Sequence, residues 1–80
     1  MITITARYFA AFRELVGAET EVWAVEPCTA GDLYAQVAKK YQLLDGTTRC
    51  KVAVNEELTD WSTLLTDGDT VLFFPPVAGG

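Results

Sequence analysis

The residues that invite chemistry lie at the C-terminus. Val77-Ala78-Gly79-Gly80 ends in an α-carboxylate, and its last two residues carry no side chain. Without a β-carbon such an end passes through a channel too narrow for other residues. It leaves the terminal carbonyl open to attack and adopts whatever backbone angles a partner imposes. Fully extended, Val77 to Gly80 reaches about 13–14 Å, at roughly 3.3–3.6 Å per residue. Pro75-Pro76 stands directly before it, fixing two backbone angles and giving an extended exit. A carboxylate is ionised near neutral pH and is a poor electrophile, so it carries a group only after activation. The economical route is ATP-dependent conversion to an acyl-adenylate. A sulfur donor then displaces AMP and leaves a thiocarboxylate, a nucleophile toward a substrate held by another protein. Glycines at a chain end also fray without any function. What sets these two apart is that they end a four-residue tail directly after a stiff diproline and an apolar strand.

The remaining residues offer little for catalysis. The chain has no histidine, and so lacks the usual general base near neutral pH. Ser62 has no base partner in the pattern, which excludes a hydrolase triad. Asp67 and Asp69 flank a turn glycine, and Gly46 and Gly68 are isolated rather than part of a phosphate-cradling loop. Cys28 and Cys50 lack the short spacing of a zinc or iron–sulfur site, and two thiols leave a four-ligand shell incomplete. No metal site is expected. Both cysteines read as reduced thiols that pack as small hydrophobes. By itself, the chain reads as non-catalytic.

Composition narrows the partners. Eighty residues, half of them hydrophobic, make one domain with enough apolar matter for a core. The formal net charge is −5. Arg7, Arg13, Lys39, Lys40, Arg49 and Lys51 are scattered rather than gathered in a stripe, which argues against nucleic acid and anionic membranes. A positively charged protein partner fits the acidity, beside the plainer reading that acidity keeps a small domain soluble. The longest apolar stretch, Val71 to Ala78, holds two prolines and falls far short of the roughly 20 residues of a membrane helix. The N-terminus lacks the basic segment and apolar core of a secretory signal. A cytoplasmic location is the expectation.

The elements that must position the tail follow from periodicity. Ile2 to Phe9 alternates, with Ile2, Ile4 and Ala6 on one side, and reads as a half-buried strand. Ala10 to Val16 forms a short helical turn closed by Gly17, and Glu19 to Val25 pairs back as the second arm of a hairpin. Thr29 and Asp32 make an acidic variant of a capping box. Leu33, Val37 and Tyr41, with Tyr34 and Ala38, mark one apolar stripe of a helix, and Lys39 and Lys40 fall in its last turn. Leu43 to Arg49 is a loop turning at Asp45-Gly46. Lys51 to Asn55 is a third strand, and Glu56 to Leu58 begins a short fourth. Thr66-Asp67-Gly68-Asp69 is a turn, and Thr70 to Phe74 is the last strand, ended by the prolines. Val71 and Phe73 share one face of it, Thr70, Leu72 and Phe74 the other. A hairpin, then a helix across a mixed sheet of four to five strands, is an α+β, β-grasp (ubiquitin-like) arrangement with the main helix on one face. Residues 1–75 are the β-grasp domain, and residues 76–80 are a flexible Gly-Gly tail.

Two blocks resemble a known family. Tyr8-Phe9-Ala10-Ala11-Phe12-Arg13-Glu14-Leu15-Val16-Gly17 is one. The other runs from Ala53-Val54-Asn55 through Leu65-Thr66-Asp67-Gly68-Asp69 to Phe73-Phe74-Pro75-Pro76-Val77-Ala78-Gly79-Gly80. Together they resemble the small subunit of molybdopterin synthase, a ubiquitin-like sulfur carrier of molybdenum-cofactor biosynthesis. The resemblance spans the whole chain, with residues 18 to 50 matching mainly by pattern. It implies that an adenylating enzyme related to ubiquitin activators uses ATP on Gly80, and that a sulfurtransferase system supplies sulfur to make a C-terminal 1-thioglycine. It implies that Val77, Ala78 and Gly79 thread the tail into the large synthase subunit, where sulfur passes to cyclic pyranopterin monophosphate. The complex implied is a heterotetramer, and no cofactor is bound by this chain. Phe9, Leu58 and Phe74 match apolar partner-contact positions, beside Pro75 and Pro76; each also reads as a core residue. Three other readings stay open at this point: the sulfur carrier of thiamin thiazole synthesis, a ubiquitin-like protein modifier, and a β-grasp binding module without tail chemistry. A β-grasp iron–sulfur ferredoxin is excluded by the cysteine count.

Overall fold

In the computed structural model, residues 1–9, 11–41 and 50–74 are described, apart from the side chains of Ala11 and Leu15. The elements are β1 (Ile2–Tyr8), α1 (Ala11–Val16), β2 (Thr20–Val25), α2 (Ala30–Tyr41), β3 (Lys51–Val54), β4 (Glu57–Thr59) and β5 (Thr70–Phe74). The strands form one sheet in the order β2-β1-β5-β3-β4. β1 pairs antiparallel with β2 and parallel with β5, and β3 pairs antiparallel with both β4 and β5. The mixed five-stranded sheet with one main helix is the β-grasp architecture expected from the sequence.

Helix α2 starts where its caps demand. The Thr29 N–H donates to an Asp32 carboxylate oxygen, and the Asp32 N–H donates to the Thr29 hydroxyl, both at 3.1 Å. This is the reciprocal box read from the sequence. The next two amides find loop carbonyls instead: Ala30 N–H donates to Thr63 O at 2.9 Å and Gly31 N–H to Trp61 O at 2.8 Å. A β-carbon on Gly31 would lie 3.2 Å from that same Trp61 oxygen, so the close approach explains the glycine. Ala30, Leu33, Tyr34 and Val37 are buried against Ile4, Ala6, Tyr8, Val52, Val71 and Phe73. The other sheet face carries no helix among the described residues.

Phe73 is the hub of this core. Its ring stacks on Trp61 at 6.1 Å and on Tyr8 at 6.4 Å, and meets Tyr34 edge-on at 5.3 Å. Burying a phenylalanine stabilises by about 1.5–3 kcal/mol, and aromatic pairs add about 0.5–1.5 kcal/mol each. The strand preceding the tail is thus held on its inner face by rings and along both edges by ladders.

Several boundaries differ from the sequence expectation. β1 ends at Tyr8 rather than Phe9, and β2 begins at Thr20 rather than Glu19. β3 stops at Val54 because Asn55 and Glu56 turn the chain with φ of 51° and 71°, so β4 begins at Glu57 and reaches Thr59. Two consecutive positive φ values are the signature of a tight hairpin turn, which strand propensity alone does not anticipate. Cys50 is buried in the core, Cys28 is packed against it, and neither forms a disulfide. Burial, with the Asp32 charge, pushes the Cys28 thiol up, away from reactivity. The expected loop at Leu43 to Arg49 lies outside the described residues. No helix among the described residues is long and apolar enough to cross a membrane.

Candidate functional site at the root of the tail

β5 lies in the middle of the sheet between β1 and β3. The predicted tail residues Pro75, Pro76, Val77, Ala78, Gly79 and Gly80 lie outside the described residues, so the site is built from what surrounds Phe74. Phe74 is opposite Lys51, Phe73 opposite Val52, and Leu72 opposite Ala53. Across the next ladder Ala53 faces Leu58 and Val52 faces Thr59. β5 therefore ends where β3 begins and β4 ends. An open groove of about 590 Å³ sits there, lined by Lys51, Leu58, Thr59, Asp60 and Phe74.

Of the three expected contact residues, the structure brings two together. Leu58 and Phe74 line this groove, Leu58 at 71% exposure and Phe74 half-buried. Both lie on the helix-free face, so the core reading is corrected for them. Phe9 is 58% exposed and follows the end of β1, which runs parallel to β5. It stands at the same end of the sheet but not in the groove. Lys51, Thr59 and Asp60 were missed as groove residues. Their signal is register, which no single stretch of sequence carries.

The opposite end of β5 is fixed by a polar turn. Asp69 accepts from the Thr66 N–H at 2.8 Å, the Asn55 side-chain amide at 2.9 Å and the Thr66 hydroxyl at 3.1 Å. Asn55 also accepts from the Thr70 N–H at 3.0 Å, and Asp67 accepts from the Thr3 N–H at 2.7 Å. Burial pushes the Asp69 carboxyl up, but the bonds from Thr66 and Asn55 outweigh it and hold the group below the usual carboxylate range. These contacts account for both aspartates structurally, as the sequence suggested. Ser62 donates to Asp60 at 3.2 Å, a surface contact rather than a nucleophile–base pair.

What the described residues offer is a central strand, laddered on both edges, that opens at one end onto a groove lined by Leu58 and Phe74 together with Lys51, Thr59 and Asp60. Residues 6–80 match the ThiS family. The chain belongs to the ThiS family. It is 42% identical over 84 aligned residues to the molybdopterin synthase sulfur carrier subunit of Mycobacterium tuberculosis, covering 100% of both chains. It is 38% identical to small archaeal modifier protein 3 of Haloferax volcanii, covering 92% of this chain and 95% of that one. Among solved structures it resembles the complex of subunits 1 and 2 of the molybdopterin-converting factor from Helicobacter pylori. There the TM-score is 0.70 and the identity 28%, over 99% of this chain and 100% of the matched one. The family resemblance read from the diproline and Gly-Gly blocks is borne out. So is the β-grasp fold of this ThiS-family chain.

Proposed function

We propose that this ThiS-family chain is the sulfur-carrier subunit of molybdopterin synthase and that Gly80 is its working residue. An activating enzyme joins the Gly80 carboxylate to AMP from ATP, releasing pyrophosphate. A sulfur nucleophile then forms the C–S bond as the C–O bond to AMP breaks, leaving the thiocarboxylate. The large synthase subunit receives the tail through Val77, Ala78 and Gly79, and sulfur passes to cyclic pyranopterin monophosphate bound there. The body contributes a root that does not yield: β5 is laddered on both sides, and Phe73 is clamped by three rings. The observation that carries the reading is full-length identity of 42% to a named carrier, joined to a Gly79-Gly80 pair that only Val77 and Ala78 separate from the diproline.

The test is intact mass after incubation with ATP, activating enzyme and a sulfur donor. Full-length protein exchanges one oxygen for one sulfur; a variant lacking Gly80 keeps its fold but neither gains sulfur nor supports pterin conversion. A truncated protein with full activity would leave only the binding module. The 38% identity to an archaeal modifier protein favours one second reading, conjugation through Gly80 to lysines. A ladder of lysine adducts in cell extract, without sulfur exchange, supports that reading instead.

A further inference from the structure

Strand register sorts the charges of this acidic chain by face. The helix-free face is built from Thr3, Thr5 and Arg7 of β1, with Thr20, Val22 and Ala24 paired to them from β2. Thr70, Leu72 and Phe74 follow from β5, Lys51 and Ala53 from β3, and Leu58 from β4. None of these is acidic, although the chain holds eleven acidic residues. The two strand acids, Glu21 and Glu57, fall opposite Ala6 and Val54 on the inner face. The two strand cations, Arg7 and Lys51, both point outward and are exposed. Neither has an ion-pair partner among the described residues. Asp60, just past β4, lines the groove with Lys51 and Phe74, and Glu19 and Asp67 lie in the segments that lead into β2 and β5. An outer face that runs against the sign of the whole chain is not accounted for by solubility, since acidic residues there would serve solubility better.

Between the two cations lies apolar surface. Leu72 is opposite both Arg7 and Ala53, and Phe74 is opposite Lys51. Ala53 is only 6% exposed although it points away from the helix, a sign of how closely its neighbours close over it. Leu58 stands 71% exposed beside it, and Val22 is 69% exposed near the far edge. This stripe is continuous with the groove at Phe74, where the tail leaves.

We infer that the protein receiving the tail docks on this face with an apolar patch flanked by carboxylates, which pair with Arg7 and Lys51. The inference rests on the functional reading above, and its occupant is the large synthase subunit. It reverses what net charge alone predicts: a chain at −5 favours a basic partner at long range, whereas contact at this face calls for acid. Opposed charges at an interface rim set register and reject wrong partners more than they add affinity, so Arg7 and Lys51 act in partner choice and leave sulfur chemistry to the tail.

The experiment titrates purified large subunit with wild-type chain and with the variants Arg7→Glu, Lys51→Glu, the double variant, and Lys39→Glu on the exposed part of α2. Each single reversal lowers net charge by two, so Arg7→Glu and Lys51→Glu compare with Lys39→Glu at equal net charge; the double variant, lower by four, compares with Lys39→Glu combined with Lys40→Glu. We expect Kd to rise about tenfold or more for the double variant, with the loss shrinking as salt shortens the screening length from about 10 Å at 0.1 M to about 3 Å at 1 M. Lys39→Glu should bind like wild type or more tightly. Thermal unfolding of each variant confirms that these exposed changes leave the fold intact. Face variants that bind as tightly as wild type or more tightly, or a loss indifferent to salt, overturn the inference. Wild-type chain that fails to bind the large subunit at all overturns the functional reading itself.

Discussion

Glu21 provides the sharpest test of how the body holds its shape. It sits on the edge strand β2 and points inward, opposite Ala6. One carboxylate oxygen accepts from the Tyr8 hydroxyl at 2.8 Å and the Trp23 indole N–H at 3.1 Å. The other accepts from the Tyr41 hydroxyl at 2.7 Å and the Lys40 ammonium at 2.5 Å, so the group ties β2 to the last turn of α2. Replacing it with alanine takes the acceptor from Tyr8, which is 2% exposed. Trp23 keeps a second acceptor in the Tyr8 oxygen at 3.1 Å, and exposed Lys40 can turn to water. The expected cost is therefore dominated by one stranded buried donor, about 1–3 kcal/mol, plus under about 1 kcal/mol of lost methylene packing. We expect Glu21→Ala to lose about 2–3 kcal/mol and to lower Tm by about 10–20 °C in a domain of this size. Glu21→Gln should lose less, because its carbonyl can still face Tyr8 and Trp23.

The pH dependence has a definite sign. Burial pushes the Glu21 carboxyl up, but bonds from Lys40, Tyr41 and Tyr8, with the Lys40 charge, outweigh it and hold it below its ordinary value. A carboxyl depressed in the folded state stabilises above its unfolded pKa, and that contribution disappears as pH falls through the folded value. The gap between wild type and Glu21→Ala should therefore narrow in acid. Urea unfolding followed by circular dichroism at neutral pH and near pH 3 measures it. A neutral-pH gap under about 0.5 kcal/mol, or one that widens in acid, would refute the reasoning, because water would then be serving Tyr8 as well as Glu21 does.

Two further changes test the β3–β4 turn and the turn that leads into β5. Glu56 holds a φ of 71° without being glycine, so Glu56→Gly should stabilise by about 0.5–1 kcal/mol, read as a rise in the urea midpoint; a fall would mean the side chain has a structural role of its own. Asp69→Ala strands the Thr66 amide and the Asn55 side chain that it accepts from. It should cost about 2–3 kcal/mol near neutral pH. Because the Asp69 carboxyl is also held low, that penalty should fade below the ordinary carboxylate range; a loss independent of pH would point to packing alone.

Much of this molecule was legible from the chain in order. Alternation put Val71 and Phe73 on one face of the last strand and Phe74 on the other, the Thr29–Asp32 pair marked the start of α2, and the diproline and Gly-Gly marked the family. Each depends on residues within a few positions of one another, where periods of 2 and 3.6 act directly. Tertiary structure alone decided the rest. Glu21 meets Lys40 and Tyr41 across nearly twenty positions, the Phe74 groove is completed by residues 51 and 58–60, and Arg7 and Lys51 reach one face only once β5 lies between their strands. Such meetings depend on strand order and register, which the sum of long-range pairings sets and no local stretch encodes.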